Sequence, residues 1–243
     1  MVGGFLMKKI VFSSFEKTLI DEEEAIDIKT IIEIDKFRKK GNLFAIISED
    51  VLDYSLEYNR DFPFIDYIIA LDGAVIYDVN NEKIIYKKSI SVGIIKKIMA
   101  LSNSIEFYSI DSKYDKNSFI DMYDSLKSDI YKLKVRFSGD KERELLITKL
   151  SKLSVNMFVN ENDKCIDIIS KNVSRVNSIK KIVGKKYTDI YVIVGIEKDK
   201  EVNETYDSYV VEDAPSILKN SSKNQLNRKN TFGVLEFLQE INT

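Results

Sequence analysis

The residue types available for chemistry in this chain of 243 residues are carboxylates, lysines, arginines and hydroxyls. The chain contains no histidine and a single cysteine, Cys165. Ser-His-Asp and Cys-His catalysis are therefore excluded, and so are zinc sites built from histidines or several thiolates. A metal site would need the oxygen ligands that Mg²⁺ or Ca²⁺ prefers. The composition thus leaves carboxylate, lysine or serine chemistry for any enzyme of this sequence.

A polar loop directly follows the first predicted strand. The apolar run Ile10–Phe12 is typical of a buried strand, and Ser13–Lys17 comes next. This loop offers the hydroxyl of Ser14, the carboxyl of Glu16 and the ammonium of Lys17. A serine hydroxyl is a poor nucleophile without a base, and no histidine is present to activate it. The simplest interpretation of Ser13–Lys17 is a polar loop between a strand and a helix.

Strands and helices alternate along the chain. Predicted strands cover Ile10–Ser13, Leu43–Ile47, Tyr67–Leu71, Ala74–Tyr77, Lys83–Tyr86, Ile105–Ser109, Leu133–Phe137, Val155–Val159, Cys165–Ile169, Tyr191–Val194 and Ser208–Val211. Predicted helices cover Glu22–Lys40, Glu49–Asn59, Val92–Leu101, Asn117–Ser128, Lys141–Leu150, Ser174–Val183, Pro215–Lys219 and Phe232–Ile241. Asp21 is the expected N-cap of the first helix and Ser48 that of the second.

The strand patterns predict the fold class and two domains. Continuous apolar strands such as Leu43–Ile47 are typical of a parallel sheet covered on both faces, whereas alternating strands such as Leu133–Phe137 indicate a sheet with one solvated face. We predict an α/β protein with a doubly wound core, residues 1–78 and 171–243, and an inserted α+β unit, residues 79–170.

Charge and hydropathy narrow the expected partners and location. The net charge of −2 argues against a nucleic-acid partner, and no apolar run reaches the roughly 18–20 residues that span a bilayer. Met1–Leu6 lacks the features of a secretory signal, and Met7 is the expected natural start, with the preceding residues as an extension. A single cysteine fits a reducing compartment, so we expect a cytoplasmic protein without a membrane partner.

Further polar landmarks follow the later elements in a fixed order. They are Ser48, Asp72-Gly73, Ser174-Arg175 and Gly195–Asp199. Together with the strand and loop at residues 8–18, this order resembles the haloacid dehalogenase (HAD) superfamily over nearly the whole chain, and most closely its Cof-type, class IIB phosphatases. The resemblance implies a Rossmann-like core, an inserted α/β cap, Mg²⁺ binding and dephosphorylation of small phosphorylated metabolites through an aspartyl-phosphate.

The resemblance also assigns catalytic positions. Ser14 takes the place of the family's nucleophilic aspartate, and Glu16 takes that of the acid/base aspartate, followed by Lys17 in place of a glycine. Ser48 matches the hydroxyl that holds the phosphate, although a helix N-cap explains it equally well. Arg175 stands where the family has a lysine that pairs with the phosphate, the alternative being an exposed arginine near a helix start.

The remaining candidate positions line the expected site. Asp72 replaces a family asparagine, and Gly195 matches the family. Ile196 replaces a magnesium-binding aspartate, Asp199 is the candidate for a second metal-binding aspartate, and Lys198 stands where asparagine is usual. An ammonium at Lys198 could mimic the charge of a metal.

Three functional hypotheses follow, and they leave open whether the chain is an enzyme. The favoured one is a pseudo-phosphatase with a binding or regulatory role and no cofactor, because the nucleophile and a metal ligand are both replaced. The second is a divergent, Mg²⁺-dependent phosphatase in which Glu16, Asp50, Asp72 and Asp199 regroup around the metal. The third is an interaction module whose cap aromatics contact a protein partner, the alternative being that these aromatics form the core of the cap. They are Phe107, Tyr108, Tyr131, Phe137 and Phe158.

Overall fold

The computed structural model describes residues 8–60, 63–123, 129–184, 187 and 189–242. Its strands, in chain order, are β1 Lys9–Ser14, β2 Leu43–Ile47, β3 Tyr67–Ala70, β4 Val75–Asp78, β5 Lys83–Lys87, β6 Ile105–Tyr108, β7 Lys113–Asp115, β8 Lys132–Arg136, β9 Val155–Asn160, β10 Cys165–Ser170, β11 Asp189–Val194, β12 Asp207–Val210 and β13 Asn224–Gln225. Its helices are α1 Ile28–Lys39, α2 Leu52–Arg60, α3 Val92–Met99, α4 Lys116–Tyr123, α5 Asp140–Leu150, α6 Arg175–Val183, α7 Lys200–Thr205, α8 Ser216–Ser221 and α9 Asn230–Asn242.

The larger sheet has the strand order β13-β12-β11-β1-β2-β3-β4-β5. Strand β1 pairs in parallel with β2 on one side and with β11 on the other. The strands that follow β1 in the chain, β2 to β5, therefore lie on one side of it, and β11 to β13 lie on the other side. In open parallel sheets, the crevice beyond the carboxyl ends of the strands at such a switch point is the usual ligand site.

The smaller sheet has the order β7-β6-β8-β10-β9 and is antiparallel throughout. Each sheet has its own buried apolar cluster. These two units confirm the predicted fold class, an α/β core with an additional α+β unit. The domain boundary needs correction, because β5 lies beyond residue 78 yet pairs with β4 in the larger sheet. We therefore place the start of the inserted unit after Lys87, and the division into two domains stays a prediction.

Two helices begin later than the sequence predicts. Helix α1 begins at Ile28 with Asp27 as its N-cap, because the side chain of Asp21 instead accepts hydrogen bonds from the backbone N–H groups of Glu23 and Ala25 and closes a turn. Helix α2 begins at Leu52, so the prediction that Ser48 caps it is wrong.

Short elements with little periodicity were missed. They are β7, α7 and β13, of three, six and two residues. Residues 124–128 of the predicted fourth helix, and the leader Met1–Leu6, lie outside the described residues. Within the described ranges, none of the helices combines the length and apolarity required to cross a membrane.

A tight turn after β3 positions the start of α6 against the larger sheet. Leu71, Asp72 and Gly73 all have positive φ, at 53°, 56° and 101°. The carbonyl of Gly73 accepts a hydrogen bond from Ser178 Oγ at 2.8 Å. A Cβ atom on Gly73 would lie 2.7 Å from the carbonyl oxygen of Ser174. The turn therefore requires glycine both for its backbone angle and for this close approach.

We predict that Gly73→Ala lowers the free energy of unfolding by more than about 2 kcal/mol, because it combines left-handed strain with a backbone clash. Urea unfolding measures the loss. Gly93→Ala in α3 is the matched control, since no atom lies within 4 Å of its added Cβ, and it should change stability by less than about 1 kcal/mol. Equal effects of the two variants would contradict this account of the turn.

Candidate functional site

The predicted site residues converge at the switch point. Ser14 ends β1, Ser48 follows β2, Asp72 lies in the turn after β3, and Gly195–Asp199 follow β11. Arg175 is the first residue of α6 and faces this edge of the sheet. Parallel strands bring their carboxyl ends together, which explains why residues far apart in sequence meet here.

Arg175 joins two of the predicted carboxylates. Its Nη1 donates to Asp199 Oδ1 at 2.6 Å, and its Nη2 and Nε donate to Asp72 Oδ1 at 2.6 and 3.2 Å. The residue is only 4% exposed, so the alternative of an exposed arginine near a helix start is wrong. Burial opposes its charge, but Asp72 and Asp199 hold the pKa of Arg175 above its usual value.

Asp199 is fully buried, and both its carboxylate oxygens accept hydrogen bonds from this chain. Its Oδ1 accepts from Arg175, and its Oδ2 accepts from Ser14 Oγ at 2.7 Å and from the backbone N–H groups of Gly195 and Ile196 at 3.2 and 3.1 Å. Ser14, in the predicted nucleophile position, therefore donates its hydroxyl hydrogen to a carboxylate.

Lys198 lies among three carboxylates. Its Nζ is 2.5 Å from Glu49 Oε2, 2.5 Å from Asp167 Oδ2 and 3.2 Å from Asp72 Oδ2. The side chain is 7% exposed. Burial disfavours its charge, but the carboxylates of Asp72, Glu49 and Asp167 raise the pKa of Lys198 well above its usual value. The dependence is mutual, because Lys198 and Lys132 lower the pKa of Glu49 to about 2 although burial alone would raise it.

A second buried lysine, Lys132, reinforces this cluster from the smaller sheet. Its Nζ is 2.8 Å from Asp72 Oδ2 and donates to the carbonyl oxygen of Glu49 at 2.8 Å. Despite the burial of Asp72, Lys132, Lys198 and Arg175 hold its pKa well below the usual range. Lys132 and Asp167 come from the neighbouring strands β8 and β10. We refer to Glu49, Asp72, Lys132, Asp167, Arg175, Lys198 and Asp199 as the buried ion-pair network.

Sequence reasoning missed Glu49, Lys132 and Asp167 as site residues. The signal for Asp167 is an acidic residue inside the apolar run Cys165–Ile169. No comparable signal marks Lys132, whose role depends on how the two sheets face each other.

Glu16 and Ser48 form a separate pair beside the network. Ser48 Oγ donates to Glu16 Oε1 at 2.5 Å, and the backbone N–H of Glu49 donates to the same carboxyl group at 3.2 Å. Burial, with a smaller contribution from Glu49, raises the pKa of Glu16 to about 7. Lys17 has a positive φ of 54°, is exposed, and makes no ion pair with a described residue. Four of the five cap aromatics are buried and do not present a partner surface, whereas Phe158 is partly exposed.

The carboxylates of the network do not fit a divalent metal as they stand. Oxygens of Glu49, Asp72 and Asp167 lie within 4.8 Å of one another, a spacing that a cation could bridge. The Lys198 ammonium already contacts all three, however, and a divalent ion among them would lie against that positive charge. The positive charge that a metal would supply is instead supplied by two lysines and an arginine.

Comparison with known proteins relates this fold to solved structures. Residues 11–118 match the haloacid dehalogenase-like hydrolase family. This match spans less than half of the chain, so it shows a likeness to that family over residues 11–118. The solved structure of TM0651 from Thermotoga maritima superposes with a TM-score of 0.78 at 22% identity, covering 98% of both chains. A haloacid dehalogenase-like hydrolase from B. subtilis superposes with a TM-score of 0.83 at 10% identity, covering 96% of this chain and 99% of that one.

A third HAD structure, the subclass IIB sugar phosphatase BT4131, superposes with a TM-score of 0.76 at 15% identity, covering 96% of this chain and 99% of that one. At these low identities the superpositions show a shared fold alone. No curated protein sequence matches the chain. Against the family's motifs, Ser14 and Ile196 stand where aspartates are expected, so the roles assigned to the site residues stay predictions.

We predict that Lys198→Met lowers the free energy of unfolding by about 3–5 kcal/mol at neutral pH, because it leaves Glu49, Asp72 and Asp167 without their shared cation. Urea unfolding measures the loss. The exposed neighbour in Lys200→Met is the matched control, with an expected change of at most about 0.5 kcal/mol. Full stability of Lys198→Met would show that the ammonium does not hold the three carboxylates together.

The raised pKa of Glu16 predicts a pH-dependent effect of Glu16→Gln. The folded protein keeps a proton on Glu16 that the unfolded chain releases above its usual pKa of 4.5, so wild-type stability falls as pH rises from about 4.5 to about 7. The glutamine variant lacks this penalty and should gain roughly 2–3 kcal/mol relative to wild type between these limits. Thermal unfolding across this range tests the trend, with the exposed Glu57→Gln as control. The same trend in both variants would contradict the assignment to Glu16.

Proposed function

We propose that this chain is a non-catalytic, ligand-binding member of the HAD superfamily rather than a phosphatase. The observation that carries the proposal is the placement of the Lys198 ammonium among Glu49, Asp72 and Asp167, 2.5–3.2 Å from each. The position where a phosphatase of this family needs a bound cation is thereby filled by a side chain of the protein itself.

The state of Ser14 supports the absence of nucleophilic catalysis. A serine needs a base to remove its proton before it can attack phosphorus. Its hydrogen-bond partner, Asp199 Oδ2, already accepts two backbone N–H bonds, and Asp199 Oδ1 is bonded to Arg175. Both oxygens of Asp199 are thereby engaged with donors other than Ser14. We infer that Ser14 lacks a free base to activate it.

The pairing of the buried cations argues against a phosphate ligand. Phosphate sites offer cationic donors that remain available to the ligand. Arg175, Lys132 and Lys198 each contact at least two carboxylates of the network. An incoming dianion would have to displace those carboxylates and leave them buried without partners, which is costly.

A divergent phosphatase is the second candidate, and one observation favours it. Glu16 has a pKa raised to about 7, which suits a general acid that protonates a leaving oxygen. In this alternative Glu49, Asp72 and Asp167 would hold Mg²⁺ in place of the Lys198 ammonium, and the ion would neutralise charge on the phosphoryl oxygens. The reaction then depends on Glu16 and on the metal.

Calorimetric titration with Mg²⁺, with and without BeF₃⁻ as a phosphoryl mimic, separates the two candidates. The proposal predicts no stoichiometric binding at millimolar Mg²⁺ and no turnover of a panel of sugar phosphates above background. Ser14→Ala is the matched control, and its residual rate should equal that of wild type. Magnesium-dependent turnover that is lost in Glu16→Gln would overturn the proposal in favour of the divergent phosphatase.

A further inference from the structure

The site has four carboxylates, three of them buried, against three buried cations. Its cations are the three basic side chains Lys132, Arg175 and Lys198. Against them stand the four carboxylates of the buried ion-pair network, which are Glu49, Asp72, Asp167 and Asp199. The centre therefore carries an excess of negative charge even when Glu16 is protonated.

A cleft beside the network extends this negative charge toward solvent. It is a cavity of about 370 Å³ that reaches from Glu16, Glu49 and Lys198 to the surface. Its outer wall carries five further carboxylates against the single ammonium of Lys17. They belong to Asp21, Glu22, Asp163, Glu197 and Asp213. Such a concentration of negative charge favours positively charged ligands.

An independent observation points to a ligand with hydrogen-bond donors. Asn230 lines the cleft and is 6% exposed, and no described group donates a hydrogen bond to its Oδ1. Its backbone N–H donates to Asp213 Oδ1 at 3.3 Å, which places a carboxylate against the same residue. Buried acceptors are normally satisfied, so an unpaired one at a cleft wall indicates a partner from outside the chain.

A second unpaired acceptor lies on the other side of Lys198. Asp167 is 4% exposed, and its Oδ1 accepts no hydrogen bond from a described residue. It lines a neighbouring cavity of about 230 Å³. Phe158 borders both cavities, and Lys198 Nζ lies 5.5 Å from the centre of its ring. The unpaired atoms of Asn230 and Asp167 are thus both hydrogen-bond acceptors. They lie near an aromatic ring, and the face of such a ring attracts ammonium groups.

We propose that the cleft binds a small aliphatic amine, whose ammonium group donates to Asn230 Oδ1 and Asp213 while its alkyl chain lies against Phe158. The inference rests on the proposed non-catalytic function, because it names the ligand class of that same site. An organic cation fits better than a metal ion, since the cavity of about 370 Å³ is far larger than an ion and has an aromatic wall.

Titration of the full chain with 1,4-diaminobutane and with spermidine tests the proposal, with inorganic phosphate and Ca²⁺ as comparison ligands. We expect saturable, one-site amine binding at physiological ionic strength and none of phosphate. Asn230→Gly removes the vacant acceptor while tolerating the positive φ of 39° at this residue. It should weaken amine binding by about tenfold or more. Asp213→Asn should weaken it similarly, and the exposed Asp207→Asn should not.

The other outcomes overturn the proposal in distinguishable ways. An equal loss in Asp207→Asn, or binding abolished by moderate salt, would indicate unspecific attraction to surface charge. Saturable binding of Ca²⁺ in place of the amine would assign the cleft to a metal. Thermal unfolding of each variant shows whether a loss of binding reflects a loss of folding. Failure of amine binding leaves the non-catalytic function standing, whereas magnesium-dependent phosphatase turnover would refute that function whatever the amines do.

Discussion

The contact on which the rest of the site depends is the Lys198 ammonium among Glu49, Asp72 and Asp167. Buried charges are tolerated only when they are paired, so each of these groups requires the others. Asp167 comes from the smaller sheet and Asp72 from the turn after β3, which means that the pairing also joins the two units. Lys132 adds a second such link through Asp72. The position of the inserted unit over the core therefore depends on the same ion pairs that fill the site.

The same ion pairs determine which ligands the crevice of this fold can bind. The fold supplies a crevice at the switch point of a parallel sheet, but the chemistry depends on the side chains that reach it. In this crevice the buried cations are paired with carboxylates of the protein, the terminal serine of β1 donates to Asp199, and the unpaired buried atoms among its described residues are acceptors. These three features all disfavour a bound phosphate, and the last one favours a ligand that brings its own positive charge.

Much of this site could be predicted from the sequence. The resemblance to the HAD superfamily named Ser14, Ser48, Asp72 and Asp199 as site positions, and the carboxyl ends of β1, β2, β3 and β11 bring them together. The partners that complete the site could not be predicted, because Lys132 and Asp167 reach it from a second sheet whose placement no local pattern encodes. Local competition explains the other errors: Asp21 closes a turn where a helix was expected, and Ser48 bonds to Glu16 and does not cap α2.

The most direct test of the central claim is a high-resolution crystal structure of the chain grown with Mg²⁺ and phosphate. The account predicts that Lys198 Nζ stays within hydrogen-bonding distance of Glu49, Asp72 and Asp167, with no metal among them. A magnesium ion coordinated by these three carboxylates, with Lys198 turned away and a phosphate beside Ser14, would contradict it.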